Sequence, residues 1–283
     1  MEQGWIISAS RRTDLPGYHP DECADRLLRL RRPVHSVFFW TRYPTGLTRP
    51  GPLSELVRVG IENPVVHLTL TGLGGTALEP RVPTTTQVLR QLDPLIEALR
   101  GDPRRLIWRF DPVLRGFSRL ETFALLAAEL GGRGVQTCIF SFPSALSLKG
   151  PLDPHYARHG ITRWSRAEKR EVALRMADVA LRHGLSLQAC NQPRVVADTD
   201  GAVRAASCIS AELAAALHPR RLALELPGDP AQRRHCNCAT SHDIGRYTDR
   251  CRSGCVYCYS SAGGEAPDRG TGPGGVDDAP RAT

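Results

Sequence analysis

The sequence predicts an α/β protein: a TIM-type (β/α) barrel, complete or short of a unit, with a C-terminal cysteine-rich segment. Three observations predict it. Short β-rich apolar runs alternate with helical periodicity from the first residues, an order that makes parallel strands with right-handed crossovers. The count of such units along 283 residues favours a barrel over a doubly wound sheet. Polar residues also gather where the predicted strands end, the face on which barrel chemistry sits.

The first strand is Trp5 to Ser10, followed by an amphipathic helix from Pro20 to Arg32 with Cys23, Leu27, Leu28 and Leu30 apolar. Ser36 to Thr41 and Pro64 to Thr71 are strands two and three. Thr84 to Arg100 carries Val88, Leu89, Leu92, Leu95, Ile96 and Leu99 at helical spacing, behind threonines able to cap it. Arg105 to Phe110 is a fourth strand, Ser118 to Leu130 a helix and Gly134 to Phe142 a fifth strand. Then come a helix from Ser165 to His183, a sixth strand from Leu185 to Cys190, a helix from Ser210 to Leu217 and a seventh strand from Arg221 to Leu226. The expected division is a barrel-like domain over 1–230, a cysteine-rich segment over 231–260 at the barrel mouth, and a disordered Gly/Pro-rich tail over 261–283.

Hydrophobic residues make up 41% and charged residues 23%, so a sizeable core can be buried and global disorder is excluded. No apolar run reaches the roughly 18 residues of a membrane span, and the start lacks a secretory pattern, so a cytoplasmic protein is expected. The formal charge is +8, but of 37 basic residues only Lys149 and Lys169 are lysine, and the arginines are scattered. Scatter without interleaved aromatics favours a solvated surface over a nucleic-acid footprint.

At the strand ends lie Ser8, Ser10, Arg11, Arg12, Thr13 and Asp14, then Trp40, Thr41 and Arg42, then Thr69, Thr71 and Gly72. The fourth strand ends in Arg109, Phe110 and Asp111, the fifth in Ser141, the sixth in Cys190, Asn191 and Gln192. Arg109 and Asp111 are two apart and leave on one face, which suits a buried ion pair as well as an anion clamp. Asp14 suits a turn cap as well as catalysis.

Nine cysteines in a chain of this kind point to metal binding or catalysis more than to disulfides. Cys251, Cys255 and Cys258 form C-x3-C-x2-C, in which three thiolates can ligate three irons of a [4Fe–4S] cluster and leave the fourth iron open. An open iron can chelate the methionine moiety of S-adenosylmethionine (SAM), and the reduced cluster can break a sulfonium C–S bond. Gly254 lets the loop bend, and Tyr257 is placed to contact an adenine ring. A structural zinc knot borrowing Cys236 or Cys238 is the rival. Cys190, Cys208, Cys236 and Cys238 could together hold an auxiliary Fe–S cluster or one zinc, although Cys190 and Cys208 taken singly suit a core.

These residues carry a resemblance to the DUF1848 family over nearly the whole chain to about Ser260. The matching segments are Ile7 to Asp14, Phe39-Trp40-Thr41, Leu70-Thr71-Gly72, Trp108 to Pro112, Gln232-Arg233, Cys236-Asn237-Cys238, Ser241, Asp243-Ile244-Gly245 and the C-x3-C-x2-C end. The resemblance implies a cysteine end similar to the radical SAM cluster loop. Radical SAM enzymes usually carry that loop after the first barrel strand, whereas here it closes the domain, so SAM would sit differently and either an adenosyl or an aminocarboxypropyl radical could form.

The resulting expectation is a radical-SAM-like enzyme with Cys251, Cys255 and Cys258 holding the cluster. Ser10, Arg11, Arg12, Thr41, Thr71 and Tyr257 would contact cofactor, and Arg109, Asp111 and Asp14 would act on an anionic or other small substrate. Arginine suits carboxylates and phosphates through its planar fork. A flavodoxin or ferredoxin would supply electrons. The alternative is a zinc- or Fe–S-stabilised binding protein without catalysis, open to nucleic acid as ligand.

Overall fold

The computed structural model describes residues 4–143, 154–246, 249 and 251–258. Strand β1 (Trp5–Ala9) is followed by α1 (Leu15–Tyr18) and α2 (Pro20–Leu28), and β2 (Val34–Thr41) by α3 (Thr45–Thr48) and α4 (Pro52–Glu55). After β3 (Pro64–Thr69) come α5 (Thr85–Leu89) and α6 (Leu92–Ala98), then β4 (Leu106–Phe110), α7 (Leu120–Gly131) and β5 (Thr137–Phe140). The remainder is α8 (Pro154–Arg158), α9 (Arg166–Arg182), β6 (Ser186–Ala189), α10 (Pro193–Asp198), β7 (Arg204–Ala205), α11 (Ala211–Leu217) and β8 (His242–Asp243).

The strands form one eight-stranded sheet in the order β7-β6-β5-β4-β3-β2-β1-β8. Every pairing is parallel. All strand C-termini therefore lie at one end, and each βα loop opens there. The backbone N–H of Ala239, leading into β8, donates to the carbonyl of Ile209, beyond β7, at 2.8 Å.

Both sheet faces are buried, as parallel sheets require. Alternation sends Ile7, Val37, Val66, Trp108 and Phe140 to the helices, while Ile6, Phe38, Val65, Ile107 and Ile139 form an apolar layer on the other face. That second layer packs against Ile209, Ala214, Leu217 and Leu224. Burying each such side chain contributes about 1.5–3 kcal/mol. At the N-terminal end of the strands, buried Arg105 donates to Asn63 Oδ1 at 2.6 Å and to the Leu217 carbonyl at 2.5 Å. Asn63 in turn donates to Ser36 and to the Ala214 carbonyl. Thr84 and Ser165 begin α5 and α9 with capping boxes.

Two expectations are corrected. The helix expected over Thr84 to Arg100 is two, because Pro94 has no N–H to donate and its ring crowds the carbonyl of Arg90, where the chain breaks. The strand expected at Arg221 to Leu226 is irregular chain: Arg221 has φ of 51°, and Pro227 bounds the segment. Its place in the sheet order is taken by β7. The segment 231–260, set apart in the sequence reading, supplies β8 to the same sheet, and the expected tail over 261–283 lies outside the described residues. No helix among the described residues is long and apolar enough to cross a membrane.

Candidate functional site

Asp243, at the end of β8, organises the loop after β1. Its carboxylate accepts from Ser8 and Ser10 hydroxyls at 3.1 and 2.5 Å, and from the Arg11 and Gly245 backbone at 3.2 and 2.8 Å. Gly245 is needed there, since a Cβ would come within 2.0 Å of Ser10 Oγ. Arg12 donates to the Gly245 carbonyl at 2.9 Å. Arg11 donates to Ser241 at 3.2 Å and lies over the Trp40 ring, 5.6 Å from its centroid. Ser10, Arg11 and Arg12 thus join the loop after β1 to the segment around β8.

The loop after β2 is tied down by Asp14, which sits at the N-cap of α1 and accepts from Gly17 N at 2.9 Å and Arg42 N at 2.7 Å. Thr41 bonds the same carboxylate. Burial pushes Asp14 up to about 6, against the pull of these hydrogen bonds and of Arg42. The geometry gives Asp14 and Thr41 a shared scaffolding task.

A charged chain of contacts crosses the C-terminal ends of the strands. Arg109, itself buried, pairs with the Asp111 carboxylate and donates to Cys208 Sγ at 3.2 Å. Asp111 also accepts from Ser141 at 2.5 Å, and its carbonyl accepts from Arg42 at 3.2 Å. Arg42 pairs with Glu79 at 2.8 Å. Glu79, 1% exposed, further accepts from Thr71 at 2.8 Å and from the Tyr257 hydroxyl. Burial opposes the Arg42 cation, yet Tyr257, Glu79, Cys255 and Asp111 around it hold its pKa well above the ordinary guanidinium value. Arg109 and Asp111 do leave on one face, and what they form is an ion pair.

The late cysteine loop is seated at this same end. Arg81 N donates to the Ser253 carbonyl at 3.3 Å and Val256 N to the Leu78 carbonyl at 3.0 Å. Gly254 has φ of +67°, and a Cβ there would meet the Arg81 guanidinium at 2.7 Å. Cys255 is buried, and burial pushes its thiol up to about 12. Tyr257 places its ring under Arg42, 5.7 Å from the guanidinium, and its hydroxyl on Glu79. Tyr257 is thus an anchor, with one partner on its ring and another on its hydroxyl.

Four other cysteines meet on the β6–β7 side. Cys190 Sγ and Cys208 Sγ are 3.6 Å apart, and side-chain hydrogen bonds join Cys208 to Cys238 and Cys238 to Cys236. Among the described residues, the nine cysteines form no disulfide. Among the described residues no group of three or more His, Cys, Asp or Glu side chains stands ready as a metal site. Cys23 and Cys138 lie in the helix-side core, away from both groups.

Sequence reasoning passed over Glu79 and His67, and named Asp243 only within a family segment, without a role. Glu79 and Asp243 are the hubs just described. His67, fully buried on β3, stacks on Trp40 at 4.1 Å and 5° and donates from Nε2 to the Cys208 carbonyl at 2.7 Å. Its Nδ1 meets no partner among the described residues. Burial, then Arg109, pushes it down to about 3, so the imidazole is neutral. A histidine inside the apolar run PVVHLTLT was the available signal. Surface concavities of about 400 and 210 Å³ lie over Ile96 and Arg133 and over Phe110 and Met176, and neither is lined by a cysteine.

Fold and site together define a class: a parallel α/β protein whose strand ends carry two groups of thiols joined by a network of ion pairs and hydrogen bonds. The family described as Domain of unknown function (DUF1848) matches over residues 25–260, and the chain belongs to that family. No curated protein matches the sequence. Among solved structures, the carboxyl transferase domain from Rhizobium etli pyruvate carboxylase with pyruvate is similar at 13% identity and a TM-score of 0.28, over 72% of this chain and 39% of that one. The same domain with 3-bromopyruvate is similar at 12% identity and a TM-score of 0.29, over 72% and 39%. The chain therefore spans well under half the length of these structures, and a likeness this distant says nothing of shared chemistry.

Proposed function

We propose that this protein is a radical-SAM-like iron–sulfur enzyme working at the mouth of a TIM-type barrel, with β7 and β8 as the closing neighbours. The observation that supports it most is the seating of the Cys251–Cys258 loop at the strand C-termini, against Arg42 and Glu79. The loop suits a cluster in two respects: Gly254 adopts the left-handed turn, and Arg42 favours the Cys255 thiolate that iron binding requires.

Cys251, Cys255 and Cys258 would hold a [4Fe–4S] cluster, which with SAM bound supplies one-electron cleavage of a sulfonium C–S bond. The chain's own residues orient and shield. Tyr257 and Glu79 fix the loop against the sheet, and Arg42 joins that anchor to Asp111. Arg11, which lies at the mouth over Trp40, offers a guanidinium face to a carboxylate or phosphate of cofactor or substrate. Arg109 and Asp111 hold charge at the mouth without a net excess. A small reduced electron carrier, flavodoxin- or ferredoxin-like, would deliver the electron in the cytoplasm.

Anaerobic reconstitution of the full chain tests this. The expected product is brown, carries iron and labile sulfide on the late loop, and cleaves SAM under reduction, while Cys255→Ser loses cleavage and keeps its fold. A protein that binds no iron at Cys251, Cys255 and Cys258 overturns the reading. A Cys255→Ser variant that loses stability, from a parent without turnover, would instead mark the loop as a metal staple of a binding protein.

A further inference from the structure

Three separate stretches of chain converge at the strand C-termini: Cys190 at the end of β6, Cys208 between β7 and α11, and Cys236 with Cys238 on the approach to β8. We infer that these four thiols are the ligands of a single tetrahedral divalent ion of the zinc class, one that holds β8 and the segment behind it to the rest of the sheet. The inference does not rest on a cluster at Cys251, Cys255 and Cys258.

Distance carries the first step. The 3.6 Å between Cys190 Sγ and Cys208 Sγ is far beyond a disulfide bond of about 2.05 Å. It matches the edge of a tetrahedron of thiolates: zinc–sulfur bonds of about 2.3 Å put neighbouring sulfurs about 3.8 Å apart. Thiolates on different irons of a cluster stand farther from one another, because each caps its own metal. Cys238 bonds Cys208 and Cys236 bonds Cys238, so the four sulfurs already run as one contiguous chain. They are strung in sequence rather than gathered about a point, and closure needs the Cys236 and Cys238 side chains to turn about χ1.

The surroundings carry the second step. Cys208 Sγ accepts from Arg109 at 3.2 Å, Cys238 Sγ from Ile209 N at 3.4 Å, and Cys190 Sγ from Arg233 at 3.9 Å. N–H donors aimed at sulfur are the outer partners that orient and stabilise metal-bound thiolates. Four thiolates and a divalent ion leave two negative charges; Arg233 offsets one, while Arg109, already balanced by Asp111, contributes a hydrogen bond to sulfur. The His67 hydrogen bond to the Cys208 carbonyl fixes the backbone of the central ligand. Arg109 is then a positioning residue, reaching the sulfur on one side and Asp111 on the other.

The test uses the full chain with zinc or cobalt(II) alone, without sulfide. One tightly held ion per chain is expected, cobalt giving the ligand-field bands of tetrahedral sulfur coordination. Cys208→Ser and Cys238→Ser should lose that ion, while Cys255→Ser keeps it. Should those serine variants fail to fold, alkylation mapping of wild type serves: the ion should shield Cys190, Cys208, Cys236 and Cys238 together and leave Cys251 and Cys258 reactive. No sulfide-independent ion, labile sulfide lost with Cys208, a Cys190–Cys208 disulfide in place of metal, or loss of the ion in Cys255→Ser would each overturn the inference. Failure of SAM cleavage would leave it intact.

Discussion

Glu79→Gln is the substitution that tests most directly how the late loop is held at the strand ends. The change keeps shape and one acceptor oxygen but removes the charge that faces Arg42 at 2.8 Å, where Glu79 is 1% and Arg42 16% exposed as side chains. Breaking a buried pair by neutralising one partner costs about 3–5 kcal/mol. The low end applies, because Arg42 retains its bond to the Asp111 carbonyl and Gln can still accept from Thr71 or Tyr257. A loss of about 3 kcal/mol is a large share of the 5–15 kcal/mol typical of a folded protein. With a urea slope near about 3 kcal/mol per molar for a chain of this size, the midpoint should fall by about 1 M. The second readout is local: alkylation of buried Cys255 should accelerate well beyond that of Cys138, which the anchor does not touch. A midpoint unchanged within about 0.5 kcal/mol, together with unchanged Cys255 reactivity, would refute the anchoring role.

Further outcomes follow from the same geometry. Asp14 has a folded pKa of about 6 against an ordinary 3.8, so the folded state binds the proton more tightly. Its contribution to stability should therefore fall, by up to about 3 kcal/mol, as pH rises through that window, and be level above it. Urea midpoints of wild type and Asp14→Asn, whose amide mimics the protonated acid, should draw apart as pH rises from about 4 to about 7, wild type losing ground, and parallel profiles would count against it. Gly254→Ala places a Cβ at 2.7 Å from Arg81 with φ at +67°. It should cost about 1–2 kcal/mol and lower iron uptake by the late loop far more than it shifts the midpoint, which iron analysis beside a melting curve would show. Gly245→Ala drives a Cβ to within 2.0 Å of Ser10 Oγ, so amides of β1 and β8 should exchange faster while those of β4 and β5 do not.

The sequence carried the parallel alternation, because each strand's period of two is a local property. Arg109 and Asp111 leave on one face for the same reason; spacing left an ion pair and an anion clamp open, and the structure forms the ion pair. The break at Pro94 was equally local, and helical periodicity on both sides masked it. The two-residue strands β7 and β8 are too short to leave a pattern: β7 is defined only by pairing with Gln188 and Ala189 of β6, and β8 only by pairing with Ile7 and Ser8, remote in sequence. Glu79 and His67 were hidden for the same cause. A lone Glu in a loop and a His in an apolar run acquire roles only once Tyr257, Arg42 and Cys208 arrive from remote parts of the chain. The proximity of Cys190 to Cys208 was suggested by their places beside a strand and a helix, while the Arg109 contact to sulfur was not.

The apolar layer of Ile6, Phe38, Val65, Ile107 and Ile139 lies between the thiol-bearing end and the Arg105–Asn63 knot, and none of its five members is more than 2% exposed. It works as a floor. Among the described residues, His67 and the neighbouring sulfurs are thereby walled off by apolar side chains from the polar cluster at the other end of the strands.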